Sequence, residues 1–367
     1  MSRHGEGVAA LLGSAQSAAP APSVSVDRYA GDRDEWDRLV HCTAGGTFFH
    51  LIGWKEVVED AFGFTADYLL ARRGQALVGV LPLFELGSRL AGRCLLSLPF
   101  AVEGGICATD DEARHALEAA ALQLGAARKV RYIELRDGLD GSEFHVREGL
   151  YYCFRRPLAD TDEENLAAIP RKQRRMVRVG QQSGLVSRTG GDDLDAFYDL
   201  YARSVRHLGT PVFQRRYFRL LLQRWPEESL LLTVWRDGTP VAGVLSFFFN
   251  DTVLPYYAGS RREFYRYAVN DFMYWELMRL ARARGARVFD FGRSKKGTGA
   301  YEFKCHWGFE PEPLRYRVYT PDGAPLHGHS ASDAHVQMLR RVWQRLPLGI
   351  TKMLGPYIVR RYGAHYT

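Results

Sequence analysis

Apolar residues along this chain fall into short runs punctuated by glycine, a pattern that predicts strands joined by tight turns over much of its length. Tyr68 to Ala71 and Leu230 to Trp235 are two such runs. Each leads through a turn glycine into a second strand, Gly74-Gln-Ala-Leu-Val-Gly-Val-Leu81 and Gly238-Thr-Pro-Val-Ala-Gly-Val-Leu245, so each pair reads as a hairpin. A further strand follows in both places (Leu95 to Leu98; Val253 to Tyr257), then a helix ended by a glycine (Asp111 to Leu124; Asp271 to Arg284). Both helices are followed by a strand with an acidic residue inside it, Tyr132-Ile-Glu134-Leu and Val288-Phe-Asp290-Phe. Matching elements in matching order predict two similar α/β (α+β) units, each a mixed sheet flanked by helices.

Helical spacing of Trp54, Val57, Val58 and Phe62 predicts a core helix over Phe48 to Phe62. Pro157 interrupts the pattern, and Thr161 with Glu164 three residues later has the spacing of a capping box that opens a new helix. Pro170 ends that helix or begins the next. These signals predict a disordered tail over 1–23, a first unit over 24–157, a second over 158–325, and a C-terminal helical extension over 326–367. In that extension Leu339, Val342, Trp343 and Leu346 recur at helical spacing among arginines, a stripe that suits either packing on its own unit or peripheral contact with a membrane surface.

Composition narrows the picture only a little. A chain of 367 residues with 46% hydrophobic and 25% charged residues has ordinary globular usage, and its net charge of +7 favours anionic partners. Cysteines at 42, 94, 107, 153 and 305 are odd in number and form no CxxC pair, which points to a reduced, cytoplasmic protein and to no zinc site. The apolar run Val8 to Leu12 is too short for a signal peptide, and no run reaches the roughly 18 residues of a spanning helix. No metal or resident cofactor is expected.

Candidate chemistry concentrates in FDFGRSKKGTGAYEFKCHWGFEP, residues 289–311. A buried strand delivers Asp290 at its end. Gly292, Gly297 and Gly299 then allow close backbone approach, while Arg293, Lys295 and Lys296 offer donors to phosphate or carboxylate. A short helix from Tyr301 to His306 gathers Tyr301, Phe303, Lys304 and Trp307, and Gly308 closes it before a last strand over Leu314 to Tyr319. The lysine and glycine order does not fit a phosphate-binding P-loop. Upstream, Arg171, Lys172, Arg174, Arg175 and Arg178 put cations on one helix face, suited to phosphates or simply to water. Tyr256 and Tyr257 leave a central strand, where one of them faces inward. His207 reads as a capping or solvated histidine, or as a base.

The segment around Phe303-Lys304 and Trp307-Gly-Phe309 resembles the end of the acyltransferase fold shared by GNAT enzymes and FemAB peptidyltransferases. The resemblance runs through NDFMYWELMRLARARGARVFDFG and PRKQRRMVR, covering roughly 158–320, and is similar to the FemAB-related proteins of exosortase/PEP-CTERM exopolysaccharide systems. It implies tandem GNAT-like domains and transfer of an acyl or aminoacyl group to an amine. The donor would be aminoacyl-tRNA or acyl-CoA as co-substrate, and the acceptor a nucleotide-linked, glycan or peptide cell-envelope precursor. Lys304 would stabilise the developing oxyanion, Tyr256 and Asp290 would orient the amine, and Arg293, Tyr257, Asn270, Tyr301, Phe303, Arg171, Lys172 and Arg175 would contact substrates. AGSRREFYRYAVN departs from the GNAT pyrophosphate loop, with Gly259 alone and aromatics elsewhere, though Asn270 or Asp271 remains able to cap the following helix. That departure favours a FemAB-like donor.

Overall fold

A computed structural model of the chain describes residues 23–88, 92–140, 143–323 and 334–362. The segment expected to be a disordered tail lies, apart from Ser23, outside the described residues. The first unit contributes strands β1 (Val24–Arg28), β2 (Thr65–Arg73), β3 (Ala76–Ser88), β4 (Gly92–Leu96), β5 (Cys107–Ala108), β6 (Tyr132–Leu135) and β7 (His145–Arg147), with helices α1 (Arg33–Cys42), α2 (Ile52–Phe62) and α3 (Asp111–Arg128). Two short strands, β8 (Tyr151–Cys153) and β9 (Arg155–Pro157), lead into α4 (Asp162–Ala168) and α5 (Arg171–Gln182). The second unit continues with β10 (Val186–Thr189), α6 (Leu194–Leu208), α7 (Arg215–Arg224), β11 (Ser229–Arg236), β12 (Thr239–Phe249), β13 (Thr252–Ser260), α8 (Val269–Ala283) and β14 (Val288–Asp290). Last come β15 (Ser294–Lys295), α9 (Gly299–His306), β16 (Glu312–Pro313), β17 (Tyr316–Tyr319), α10 (Ala334–Arg345) and α11 (Leu348–Tyr362).

Both predicted hairpins form, β2 with β3 and β11 with β12, and each carries a bulge two or three residues past its turn. The internal repeat is one residue out of the register its glycines suggest. Arg73 faces Ala76 and Arg236 faces Thr239, so Gly74 occupies the loop position that Asp237 holds in the second copy. Both have positive φ, as the first position of such a two-residue turn requires. Gly125 does not end its helix. It is buried within α3 because Ile133 lies where a Cβ would point, and the helix ends at Lys129 in the left-handed conformation. Leu98 falls beyond its strand with a φ of 45°, and the helix predicted from Phe48 begins as a single 3-10 turn before α2.

The two units exchange strands. The first sheet runs β1-β2-β3-β4-β6-β17-β7 with β5 against β3, and the second β10-β11-β12-β13-β14-β9. Thus β9, which follows the first unit, pairs antiparallel with β14, while β17, which follows the second, inserts between β6 and β7. Arg317 on β17 is fully buried and clamps Asp137 through Nε at 2.6 Å and Nη2 at 3.0 Å, with Nη1 on Glu118. A buried guanidinium shared by two carboxylates leaves uncompensated charge if any member is removed, which costs about 3–5 kcal/mol. The exchange is therefore fastened electrostatically as well as by its ladder.

The extension α10–α11 folds back across both units. Trp343 Nε1 donates to the Thr210 carbonyl at 3.0 Å, Gln344 to His207, and Arg206 to Leu346. Gly355 lies so close to the backbone of Val212 that any Cβ would clash. The main core joins α1, α2 and the start of the first sheet to α6, α7 and one face of the second. His50 is buried in it.

His50 Nε2 contacts the Gly105 carbonyl at 3.0 Å and must donate, so Nδ1 accepts from the amide and hydroxyl of Thr47. Burial of this neutral ring lowers its pKa from 6.5 to about 4. The unfolded chain takes up that proton from pH 6.5 downward while the native ring resists it, so stability is present above 6.5 and is lost towards pH 4. The loss from this group amounts to about 3 kcal/mol. Urea denaturation between pH 7 and roughly 4 should show a shallower pH dependence for His50→Gln than for the parent; equal slopes would remove His50 from the account.

Candidate active-site cleft

The second sheet opens where two parallel strands part. β13 and β14 pair only at Thr252–Val288 and Val253–Phe289; β13 then continues to Ser260 while β14 turns away after Asp290. Against β12, Leu245 faces Tyr257 and Ser246 faces Pro255, so Tyr256 is the extra residue of a bulge at the mouth of this split. A bulge re-aims side chains, and here it sends two adjacent tyrosines to different places. Tyr257 is buried with its hydroxyl 2.8 Å from that of Tyr217. Tyr256 is half-buried and donates to the Phe100 carbonyl of the first unit at 2.5 Å. Burial raises the pKa of both phenols, so Tyr256 is protonated at neutral pH and cannot serve as a base.

Lys304 does not point at open space. Its Nζ donates to the carbonyls of Phe291, Gly292 and Arg293 at 2.7, 3.0 and 3.1 Å, which uses all three protons of an ammonium. The rings of Phe154 and Phe291 lie over the same charge. Burial pushes its pKa down to about 8, with Cys153 and Asp290 opposing, so it stays a cation at neutral pH. As placed, Lys304 anchors the loop that leaves β14. Asp290 is likewise occupied: Oδ1 accepts from the Gly292 amide at 2.7 Å and from the Cys153 thiol, and Oδ2 from Arg155 Nε at 2.8 Å. Arg155 also meets Glu103. As placed, Asp290 ties the units together, with three of its roughly four acceptor positions taken by the protein.

Arg293 is less fully engaged by the protein. It is half-buried, stacks on Tyr151 with its guanidinium carbon 4.6 Å from the ring centre, and donates to the Tyr316 hydroxyl at 2.8 Å. Tyr316 in turn donates to the Val102 carbonyl at 2.8 Å. Among the described residues no carboxylate lies within ion-pair distance of Arg293. Arg136, fully buried, donates to the Ala101 carbonyl, and Trp54 to that of Pro99. Four consecutive carbonyls, 99 to 102, are thus held by side-chain donors, in a loop where Leu98 and Phe100 have positive φ. A first-unit loop so fixed forms one wall beside the split.

Basic helix α5 crosses the first turn of α8. A Cβ on Gly180 would meet Phe272 at 2.8 Å, and Gln173 donates to Asp271, which also accepts from Trp307 Nε1 at 3.0 Å. Arg171, Lys172, Arg175 and Arg178 are exposed, and none has a carboxylate partner among the described residues. Asn270 sits half-buried in the first turn of α8 and makes no capping bond; the helix is entered through Ala268 in the left-handed conformation. Before it, Arg262–Tyr267 is a 3-10 helix. Gly259 belongs to β13 and lies against the backbone of Leu200 and Tyr201, so it serves packing of α6. Tyr301 packs edge-on against Tyr152 and Phe154, and Phe303 packs against Tyr274 and Trp307. His207 is at the end of α6 beneath α10, its pKa lowered by burial and by Arg262 and Arg206.

Residues 165–305 match the family described as an acetyltransferase (GNAT) domain. A tandem GNAT protein from the clavulanic acid biosynthesis pathway is similar in structure, with 14% identity, a TM-score of 0.52, and coverage of 83% of this chain and all of that one. The fold is tandem GNAT. FemX is similar at 17% identity and a TM-score of 0.66, covering 79% of this chain and 96% of that one. The C-terminal domain of a putative lysylphosphatidylglycerol synthetase from Agrobacterium fabrum is similar at 11% identity and 0.57, covering 92% and 99%. A search of curated proteins by sequence gave no match.

Within this GNAT frame the split and the bulge are the parts that sequence reading had no signal for, since both arise from pairing between distant strands. Arg136, Tyr316, Tyr151 and the 99–102 loop were missed for the same reason.

Replacing Lys304 by methionine should lower the free energy of unfolding by about 3 kcal/mol, because three buried carbonyls lose their donor. Lys304→Arg, which keeps donors and charge, should recover part of that loss. Urea titration of both variants decides the point, and a Lys304→Met variant as stable as the parent would show that the anchor is dispensable.

Proposed function

We propose that the protein is a FemAB-like transferase that moves an acyl or aminoacyl group from an activated ester to an amine, with its reaction in the split between β13 and β14. One observation carries this reading: Arg293 is a half-buried cation with no carboxylate partner among the described residues, held by Tyr316 and Tyr151 at the bulge. A fixed, uncompensated charge in such a place is suited to a carbonyl oxygen that becomes negative.

In the reaction the acceptor amine places its lone pair on the ester carbonyl carbon, forming the C–N bond while the carbonyl oxygen gathers charge towards Arg293. The C–O bond to the leaving group then breaks, and the proton shed by nitrogen passes to the departing oxygen. Tyr256, a phenol at neutral pH, orients; Lys304 positions the loop that bears Arg293. Proximity of donor and acceptor supplies much of the rate. No resident cofactor is required in this scheme.

The exposed cations of α5, at the first turn of α8, support a polyanionic donor such as aminoacyl-tRNA. The 3-10 helix and left-handed Ala268 in place of a glycine loop disfavour a backbone cradle for acyl-CoA. We place the acceptor among cell-envelope precursors, peptidoglycan-type or exopolysaccharide, and the reaction in the cytoplasm; the FemAB resemblance supports the first and five free cysteines the second.

Thermal unfolding in the presence of charged tRNA, a UDP-linked peptidyl sugar or acetyl-CoA should show stabilisation by the first two. Arg293→Ala should lower the transfer rate by about 10²–10³-fold with a smaller change in KM, and Arg293→Lys should recover part of it. Changing Arg171, Lys172, Arg175 and Arg178 to glutamine should flatten the salt dependence of tRNA binding by roughly 3 in logarithmic slope. Stabilisation by acetyl-CoA alone would assign an acyl-CoA donor, and RNA binding without any transfer would mark a binding module.

A further inference from the structure

Helices α10 and α11 leave one face bare. Most of the strongly exposed large apolar side chains among the described residues lie on this pair. Met338, Leu339 and Val342 stand on α10, at 52–53% exposure, and Met353, Leu354 and Tyr357 on α11, at 62%, 39% and 74%. The α11 residues follow helical spacing opposite the buried row Thr351, Gly355 and Val359, which faces the protein. Among the α10 residues whose burial is described, Trp343 is the buried one, fixed by its bond to the Thr210 carbonyl. The bare face is therefore the outer side of a rigidly seated pair.

Charge says what would cover it. From residue 334 to 362 the chain has Arg340, Arg341, Arg345, Lys352, Arg360 and Arg361 and no aspartate or glutamate. Lys352 is paired with Asp199, and Arg340 bonds the Leu208 carbonyl, whose own side chain is 60% exposed beside the patch. Arg341, Arg345 and Arg361 are exposed without a carboxylate partner among the described residues. A second copy of the chain would bring the same excess of positive charge against itself. An apolar stripe of methionine, leucine and tyrosine rimmed by arginine matches instead the boundary between acyl chains and anionic headgroups. No helix of the described residues is long and apolar enough to cross a membrane, so the pair would lie in the interface plane.

We propose that the α10–α11 face docks the protein on the surface of an anionic phospholipid bilayer, with Met353, Leu354 and Tyr357 entering the headgroup boundary and Arg341, Arg345 and Arg361 meeting lipid phosphates. This docking is independent of the transfer chemistry. Its test is co-sedimentation of the full chain with vesicles of phosphatidylcholine alone or with phosphatidylglycerol in a roughly 7:3 ratio. The parent should bind the mixed vesicles at least about tenfold more tightly than the neutral ones. Met353→Gln with Tyr357→Gln, and separately Arg341→Gln with Arg345→Gln, should each weaken that binding by about tenfold while leaving the unfolding temperature unchanged, since these side chains are exposed. Binding to mixed vesicles that is absent in the parent, or equal in parent and both variants, would overturn the proposal. So would a dimer in solution that the Met353→Gln, Tyr357→Gln variant dissolves, because the face would then belong to a second copy.

Discussion

When two parallel strands part inside a folded protein, the carbonyls at their ends lose their ladder partners, and the need to satisfy them organises much of this structure. After β14 the carbonyls of Phe291, Gly292 and Arg293 converge on one ammonium, that of Lys304. After β4, which pairs in parallel with β6, those of Pro99 to Val102 are taken by Trp54, Tyr256, Arg136 and Tyr316. The second solution differs from the first in drawing donors from both units. Tyr256 and Tyr316 follow residue 158 in sequence, so the first unit's loop is fixed only when the second is in place.

This constraint couples the loops to the strand exchange. Tyr316 opens β17, the strand given to the first sheet, and Arg155 on β9, the strand given to the second, holds Asp290 at the end of β14. Each exchanged strand thus brings a polar residue to the split. Arg293 stands between Tyr316 of β17 and Tyr151 of β8, so the exchange of β17 bears directly on its position. Catalytic geometry on such a site would be as rigid as the junction itself, which is what a fixed charge needs in order to act without reorganising.

Local signals were legible where local physics decides. The hairpins follow from apolar runs and turn residues, the cap of α4 from Thr161, and the left-handed end of α9 from Gly308, whereas the cap of α9 at Thr298 had not been anticipated. Register and pairing were not, because glycines at similar places in two hairpins can stand one position apart, as Gly74 and Gly238 do. Gly125 looked like the end of a helix and Gly259 like the remnant of a phosphate loop, and both proved to be close-approach sites within elements. At the candidate site the segment 289–311 was found by its composition, but the partners of Lys304 are backbone atoms, which no pattern of side chains reveals.

That difference bears on how a lysine between a phenylalanine and a tryptophan should be read. A buried ammonium needs either a carboxylate or several dipoles around it. Lys304 has no carboxylate within ion-pair reach among the described residues, and its three carbonyls leave no proton for a ligand. If a substrate oxygen were to take one of those protons, a loop carbonyl would be left unpaired, and the loop bearing Arg293 would have to move. Arg293 can approach a ligand without such a loss, since only one of its donors is engaged by the protein in the contacts described. The lysine therefore fixes where the arginine of this split stands, and the arginine keeps donors that the contacts described leave open.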